Sequence, residues 1–265
     1  MIKKILKSIY FKLNNNLKVK ILNFIFFLTN IDSKITLDNN IFCIKNSKKK
    51  IFFSIPNRLM LFRKGLTFRL NFLKNKYFIH KINFRKNDII LDCGANIGEI
   101  FFCFSNSLKI NYHAFEPSPV VFKDLNLNIK SKNWINYNLA LNNKVEIKKF
   151  YVLDEEADSS IIKMKNYKKI ILVNCTTLDK ILKKINKNVK LLKIDAEGAE
   201  PEVLKGLNKF KNKIQYIALE AGPERGIKQL STFKQSNKIL TSKNFELIHE
   251  NKNQFTYLFK NKFYK

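Results

Sequence analysis

From Asp88 onward the sequence alternates between short apolar runs and amphipathic stretches. Runs such as DIILDCG, NYHAFEP and VKLLKIDA have the length and apolar character of buried strands. Between them, EIFFCFSNSL, PVVFKDLNLNIKS and PEVLKGL carry apolar residues at helical spacing. Strands that alternate with helices predict a parallel sheet with right-handed crossovers. The final runs FELIHEN and QFTYLFK predict a hairpin that adds an antiparallel strand.

The segment before this alternation has a different character. Residues 2–28 place Ile and Leu at helical spacing between lysines, which predicts one or two amphipathic helices. Such a helix either packs on the body of the protein or lies on an anionic membrane surface. Residues 35–87 continue with short strand-like pieces and then a helical stretch. We therefore predict an N-terminal extension over residues 1–64 and a main domain over residues 65–265.

The formal net charge of +29 raises the question of a nucleic-acid partner. Nearly all of the positive charge is lysine, because arginine occurs only at positions 58, 63, 69, 85 and 225. Abundant Lys, Asn, Ile and Phe are typical of AT-rich codon usage, whereas phosphate and base recognition favours the bidentate fork of arginine. A nucleic-acid partner is therefore the less favoured interpretation.

The cysteines and the apolar runs indicate the cellular compartment in which the protein is expected. Four cysteines stand without a C-x-x-C pair, which disfavours a disulfide framework or a zinc site and is typical of a reducing cytoplasm. The run Ile21–Leu28 is shorter than the ~18 residues of a transmembrane helix, and no small-residue cleavage site follows it. We predict a cytoplasmic protein, peripheral on the inner face of the membrane if the basic helix binds lipid.

The stretch LDCGANIGE predicts a ligand loop after the first strand of the alternation. Its pattern is Asp92-x-Gly94-x-x-x-Gly98, and Asn96 stands where a dinucleotide-binding loop would have its second glycine. Asp92 would repel a pyrophosphate. Glu116 ends the next strand, 18 residues after Gly98, where an acid commonly accepts hydrogen bonds from ribose hydroxyls. Both acids suit S-adenosylmethionine, which has a ribose, a sulfonium and an ammonium but no phosphate.

Four motifs together resemble one enzyme family. DIILDCGANIGE, FEPSPVVFKDLNLNI, TTLDKIL and KIDAEGAEPEVLKG stand in the order and spacing of the FkbM family of S-adenosylmethionine-dependent methyltransferases. The resemblance covers about residues 65–260 and is most specific in KIDAEGAE. It implies an α/β class I methyltransferase (Rossmann-like) fold, with a seven-stranded sheet that is mostly parallel, an antiparallel last strand and helices on both faces. It also implies O-methylation of sugars or natural products, often in bacterial surface-glycan pathways.

The resemblance implies a cofactor site as well. The loop on the methionine side would be formed by Gly94, Ala95, Asn96 and Gly98. Glu116 would bind the ribose, while Pro117 and Ser118 would shape the adenosine edge. Residues Asn138 to Leu141 would flank the adenine. Many methyltransferases bind the adenine amino group with an Asp after strand three, and here backbone groups or Asn138 are expected to substitute.

The acids after the fourth strand are candidates for the chemistry. Methylation of a hydroxyl requires removal of its proton, so a carboxylate within hydrogen-bond reach is expected. Asp195, at the exit of strand four, is the first choice for the base, and Glu220, at the end of strand five, is the second. Alternatively, several carboxylates bind Mg²⁺, which would orient and acidify the hydroxyl. A third interpretation is that Glu197 or Glu200 caps a helix or pairs with lysines.

Further residues on the same rim are candidates for binding the acceptor. They are Glu197, Glu200, Arg225, which follows EAGPE, and Ser159, in the polar loop EADSSII. Pro201 disfavours helix at the residue before it, so we expect the helix to start near Glu202. The predicted function is O-methylation of a sugar hydroxyl in a bacterial surface glycan or a related metabolite. The alternative is an RNA methyltransferase or RNA-binding protein, suggested by the charge.

Overall fold

A computed structural model describes residues 13–131, 134–153 and 159–264. The helices in these ranges are α1 (Asn15–Leu28), α2 (Leu66–Lys76), α3 (Pro119–Asn128), α4 (Leu178–Lys184), α5 (Glu200–Lys205) and α6 (Phe233–Ser242). The strands are β1 (Lys34–Asp38), β2 (Ile41–Lys45), β3 (Lys50–Phe53), β4 (Ile89–Cys93), β5 (Asn111–Phe115), β6 (Trp134–Tyr137), β7 (Ala140–Leu141), β8 (Glu146–Val152), β9 (Lys169–Thr176), β10 (Val189–Ile194), β11 (Ile214–Glu220), β12 (Phe245–Asn251) and β13 (Thr256–Asn261).

The chain divides into two compact units between Phe72 and Leu73. In the first unit, β1, β2 and β3 form an antiparallel sheet in chain order. The side chain of Asn23 on α1 both donates to and accepts from the backbone of Ile35 on β1, at 2.8 Å each. α1 covers the second part of the predicted amphipathic stretch, and residues 2–12 lie outside the described residues. The predicted boundary at residues 64 and 65 stays a prediction.

The second unit is built on a seven-stranded sheet with the order β12-β13-β11-β10-β4-β5-β6. The pairs from β11 through β6 are parallel, whereas β13 is antiparallel to both of its neighbours. The central strands are largely buried on both faces, and β4 is buried at every position. The class I methyltransferase fold, with its antiparallel last strand, is therefore confirmed.

A second, three-stranded sheet has the order β7-β9-β8. The run WINYNLAL, predicted as one strand, is divided between β6 in the large sheet and β7 in the small one. The break falls at Asn138, whose side chain donates to the backbone oxygens of Glu116 and Pro117, at 2.9 and 3.1 Å. An amide that bonds neighbouring backbone competes with the strand ladder in this way.

Residues 99–108 differ from the regular helix that their spacing predicts. They form two short 3-10 turns, Glu99–Cys103 and Asn106–Leu108. Phe101 packs edge-on against Tyr112 and Trp134, and the hydroxyl of Ser105 accepts from the backbone of Ser107. Aromatic packing and local polar bonds thus outweigh the helical pattern.

No helix among the described residues is long and apolar enough to cross a membrane.

Candidate active site

The carboxyl ends of four neighbouring parallel strands meet at one edge of the large sheet. β4 leads into the glycine loop, β5 ends before Glu116, β10 before Asp195, and β11 ends at Glu220. Ligands of open α/β sheets bind at this edge. The candidate cofactor and acceptor residues are therefore brought to one side of the sheet.

The glycine loop is held tightly against its neighbours. The backbone N–H groups of Gly94 and Ala95 both donate to the carbonyl of Phe115, at 3.0 Å each. Gly94 has a φ of +72°, and a Cβ placed on it would overlap the backbone carbonyl of Asp195. Only glycine combines this conformation with such a close approach. Gly94 thus joins the β4 loop to the β10 loop.

Glu116, which follows β5, holds the backbone on either side of the predicted cofactor site. Its carboxylate accepts from the backbone N–H of Asn96 at 3.0 Å and from that of Ser118 at 2.8 Å. Asn138 is brought to the same place, since it binds the backbone of Glu116 and Pro117. Leu141, in contrast, lies buried in β7 as part of the hydrophobic core.

These residues fit S-adenosylmethionine better than a dinucleotide. A carboxylate at the end of β5 is an acceptor for ribose hydroxyls. The segment after the glycine loop is a short 3-10 turn with Glu99 in its first turn, not a long helix whose N-terminus could hold a pyrophosphate. Glu116, Asn96, Ser118 and Gly94 are the residues that would hold the cofactor, and these assignments stay predictions.

Asp92 is fully buried beneath the loop. It accepts a hydrogen bond from Tyr112, and the Lys193 ammonium lies 3.1 Å from its Oδ1 atom. Lys193 also donates to the carbonyls of Cys93 and Gly94, at 3.1 and 2.7 Å. Burial opposes the charge of Lys193, but Asp92 and Asp195 outweigh it and raise the pKa of the ammonium above its usual value. Lys193 thus stays charged and ties β10 to the glycine loop.

Asp195 and Glu220 meet at one hydroxyl group. The Oη atom of Tyr77 lies 2.8 Å from Asp195 Oδ2 and 2.7 Å from Glu220 Oε2. The Lys76 ammonium lies 2.7 Å from the same Glu220 oxygen, and Lys193 lies 3.6 Å from Asp195. Asp195 and Glu220, the two candidate bases predicted from the sequence, are thus brought together by Tyr77, which no sequence pattern predicted.

The two carboxyl groups have opposite electrostatics. Burial alone would raise the pKa of Asp195, but the positive charges of Lys193 and Lys76 outweigh it and hold that pKa below its usual value. Burial and the negative charge of Asp195 raise the pKa of Glu220 to about 7, against the opposing charge of Lys76. Near neutral pH, Asp195 is therefore ionised and Glu220 is titrating.

The pKa of a third carboxyl, that of Glu224, is shifted by burial and by the same neighbouring acids. Burial, followed by the charges of Asp195 and Glu220, raises the pKa of Glu224 to about 8. No pattern in the sequence distinguishes Glu224 from the other acids. Its neighbours become apparent only when the loop after β11 folds against the end of β10.

Glu200 shapes the loop after β10. One carboxylate oxygen accepts from the backbone N–H groups of Ala196 and Gly198, at 3.0 Å each, and the other accepts from the Thr232 hydroxyl at 2.7 Å. Helix α5 begins at Glu200, two residues before the predicted start, because this side chain satisfies the backbone ahead of the helix. Glu197 has a φ of +49° in the same loop.

Arg225 is held by protein groups. Its two terminal nitrogens bind both carboxylate oxygens of Glu202, at 2.7 and 2.9 Å, and one of them also donates to the Gly198 carbonyl at 2.6 Å. Ser159 adjoins Ser160, which pairs with Tyr151 of β8. Roles of Arg225 and Ser159 in acceptor binding stay predictions.

Within residues 13–131, 134–153 and 159–264, no three His, Cys, Asp or Glu side chains converge in a way that could hold a metal ion. The Mg²⁺ interpretation stays a prediction.

Sequence reasoning missed Lys193, Lys76 and Tyr77. Lys193 could have been found, because a lysine inside the buried run LLKID requires a partner. Tyr77 carried no such signal, since it lies 118 residues from Asp195 and 143 from Glu220.

Comparison with solved structures finds several similar chains. The fibrillarin pre-rRNA processing protein of Methanococcus jannaschii is 14% identical, with a TM-score of 0.43, over 86% of this chain and 97% of that chain. Aeropyrum pernix fibrillarin with natively bound S-adenosyl-L-methionine is 8% identical, with a TM-score of 0.41, over 85% and 96%. M. capricolum TrmK in complex with S-adenosyl-homocysteine is 12% identical, with a TM-score of 0.39, over 74% and 68%. These scores carry no conclusion about function.

A search of curated proteins finds no match. The model of the methyltransferase FkbM domain, however, matches residues 92–247, which is more than half of the chain. The matched range includes the glycine loop, Glu116, Asp195 and Glu220. The chain therefore belongs to the FkbM methyltransferase family, and it is an S-adenosylmethionine-dependent methyltransferase.

Proposed function

We propose that this enzyme methylates a hydroxyl group of a sugar, in a bacterial surface glycan or a related metabolite. The observation that carries the proposal is the meeting of Asp195 and Glu220 at Tyr77, beside the glycine loop. A sugar hydroxyl must lose its proton as the new O–C bond forms, and a nearby carboxylate can accept that proton. S-adenosylmethionine, when bound, supplies a methyl group already activated by the sulfonium.

We propose Glu220 as the general base, ahead of Asp195. A base works best when its pKa lies near the working pH, and burial together with Asp195 places the pKa of Glu220 at about 7. Burial alone would raise the pKa of Asp195, but the charges of Lys193 and Lys76 outweigh it and keep Asp195 ionised. Asp195 is therefore the weaker proton acceptor. In this arrangement the fixed charge of Asp195 makes Glu220 more basic.

The same charges favour a neutral acceptor over RNA. Asp195 and Glu220 meet at Tyr77, and their charges contribute, after burial, to the raised pKa of Glu224. A phosphate backbone entering this rim would meet the ionised carboxylate of Asp195. An RNA acceptor is supported only by the net charge of +29, most of which is lysine.

The test offers labelled S-adenosylmethionine together with a cell-surface glycan extract or, separately, with tRNA. We expect label in the glycan, strongly reduced transfer by Glu220→Gln, and a smaller reduction by Asp195→Asn. Glu146→Gln, on exposed β8, is the matched control and should transfer at the wild-type rate. Label in tRNA alone would replace this proposal with the RNA alternative.

We also propose that residues 2–28 bring the enzyme to the inner face of the membrane. In α1, Phe24, Phe27 and Leu28 are 60%, 80% and 64% exposed, although Val19, Leu22 and Phe26 are buried. Exposed aromatic and aliphatic side chains beside lysines are the features of a helix that lies on anionic lipid.

A further inference from the structure

The two oxygens that face Tyr77 require more hydrogen than the tyrosine supplies. Both O···O distances, 2.8 Å to Asp195 and 2.7 Å to Glu220, are those of ordinary O–H···O hydrogen bonds. A hydroxyl group donates one hydrogen bond, and an ionised carboxylate donates none. Two bonds at Tyr77 therefore require a second hydrogen, carried by one of the carboxyl groups. The geometry describes a pair of carboxyls that shares one proton.

The tyrosine itself keeps its hydrogen. Tyr77 is 3% exposed, and burial together with the charges of Asp195 and Glu220 raises its pKa well above the usual value. The hydroxyl thus donates to one carboxyl and accepts from the other. In this chain of two hydrogen bonds, one carboxyl is ionised and the other is protonated.

The charged groups around the pair decide where the second hydrogen lies. Asp195 faces Lys193 at 3.6 Å, and Glu220 faces Lys76 at 2.7 Å. Glu200 begins α5, just after the loop that follows β10, and Asp92 lies beyond Lys193. Glu224, in the loop after β11, has a pKa raised to about 8 and is therefore largely protonated where Glu220 titrates. Burial and then the charge of Asp195 raise the pKa of Glu220, although Lys76 and the Tyr77 hydroxyl oppose them, whereas the pKa of Asp195 is lowered. Glu220 is therefore the carboxyl of the pair that releases the shared proton as the pH rises through neutrality.

A strained turn presents Tyr77 to this pair. Helix α2 ends at Lys76, and Phe78 adopts a φ of +55°, which is uncommon for a large side chain. The turn is held by the Phe78 N–H, which donates to the Asn75 carbonyl at 3.2 Å, and by stacking of Phe78 on His249 at 5.9 Å. Tyr77 also precedes residues 92–247, so the family match does not account for it.

We infer that Tyr77 is a positioning residue whose hydroxyl holds one proton on the Asp195–Glu220 pair and thereby determines when Glu220 becomes free to act as a base. The inference rests on the proposed function for its catalytic meaning. The shared proton is a property of the protein alone. It can therefore be measured without an acceptor.

The test is a pH titration of the Glu220 carboxyl by NMR. The enzyme is labelled with ¹³C at the glutamate carboxyl carbons, and the Glu220 signal is the one that Glu220→Gln lacks. With Tyr77 present, the singly protonated pair makes two hydrogen bonds with the tyrosine hydroxyl, whereas the fully ionised pair makes only one. Tyr77→Phe removes this advantage of the protonated form, so the midpoint should fall by ~0.5–1 pH unit, the equivalent of about one hydrogen bond.

Tyr216→Phe is the matched control, because Tyr216 lies on the same strand as Glu220. It should leave the Glu220 midpoint unchanged, and thermal unfolding should show that both variants are folded. An unchanged midpoint in Tyr77→Phe would overturn the inference. A raised midpoint would also overturn it, because the hydroxyl would then be an ordinary donor to an ionised Glu220. Absence of methyl transfer to glycan, with the expected titration, would overturn the proposed acceptor alone.

Discussion

Lys193 and Asp92 form a buried ion pair across two neighbouring parallel strands, with Nζ 3.1 Å from Oδ1. The two side chains are 3% and 0% exposed. Removal of one partner would leave the other charge in the interior, which typically costs about 3–5 kcal/mol. We expect Lys193→Met to lower the free energy of unfolding by this amount in urea titrations. Lys190→Met, on the same strand but partly exposed, should change it little.

A double variant separates the pair from the packing. Lys193→Met with Asp92→Leu removes both charges and should recover a large part of the loss. A double variant no more stable than Lys193→Met would show that the ion pair is not the cause.

The rate of methyl transfer should depend on the ionisation of Glu220. Its raised pKa means that the carboxyl is protonated below about pH 7 and becomes a base as the pH rises through that value. We expect kcat/KM to rise through about pH 7. Glu220→Gln should lower it by about 10²–10⁴-fold, the usual effect of a general base. A pH–rate profile of the variant that matches the wild type would contradict the assignment.

Glu116 should contribute to affinity for the cofactor. Glu116→Ala removes a carboxylate that organises Asn96 and Ser118 and that is assigned to the ribose hydroxyls. Loss of one or two charge-assisted hydrogen bonds should weaken binding of S-adenosylmethionine by about 10–100-fold in calorimetry. Glu146→Gln, at an exposed position of β8, is the control, because it keeps the hydrogen bond from Asn142. Equal affinities in both variants would refute the ribose assignment.

Arg225 should matter for stability more than for the cofactor. Arg225→Lys keeps the charge but loses the two-point contact with Glu202. We expect the free energy of unfolding to fall by about 1–2 kcal/mol, with the affinity for S-adenosylmethionine unchanged. A changed KM for the acceptor at unchanged stability would instead support the predicted substrate contact.

The exposed face of α1 should bind anionic lipid. We expect Phe24→Ser with Phe27→Ser to reduce partition into phosphatidylserine-containing vesicles by up to about 10³-fold, because each side chain buries apolar surface worth about 2 kcal/mol. The measurement is co-sedimentation at matched salt. Phe68→Ser replaces another exposed phenylalanine of the same unit and should have no effect.

The large sheet could be predicted from the sequence because its strands are short apolar runs bounded by acids and glycines. The same reasoning located Glu116, Asp195 and Glu220, since each lies at the carboxyl end of a strand. It failed at residues 99–108, where aromatic packing decides the local structure. It also failed at Tyr77, because contacts between residues more than a hundred positions apart leave no local pattern.

Lys76 and Tyr77 lie outside the segment that identifies the family, whereas the cofactor loop and both carboxylates lie inside it. A change in this short turn would therefore alter the acidity of the centre and leave the cofactor loop unaltered. Proteins with equally good matches over residues 92–247 need not share a pH range or an acceptor. Classification by the matched segment alone would group them together.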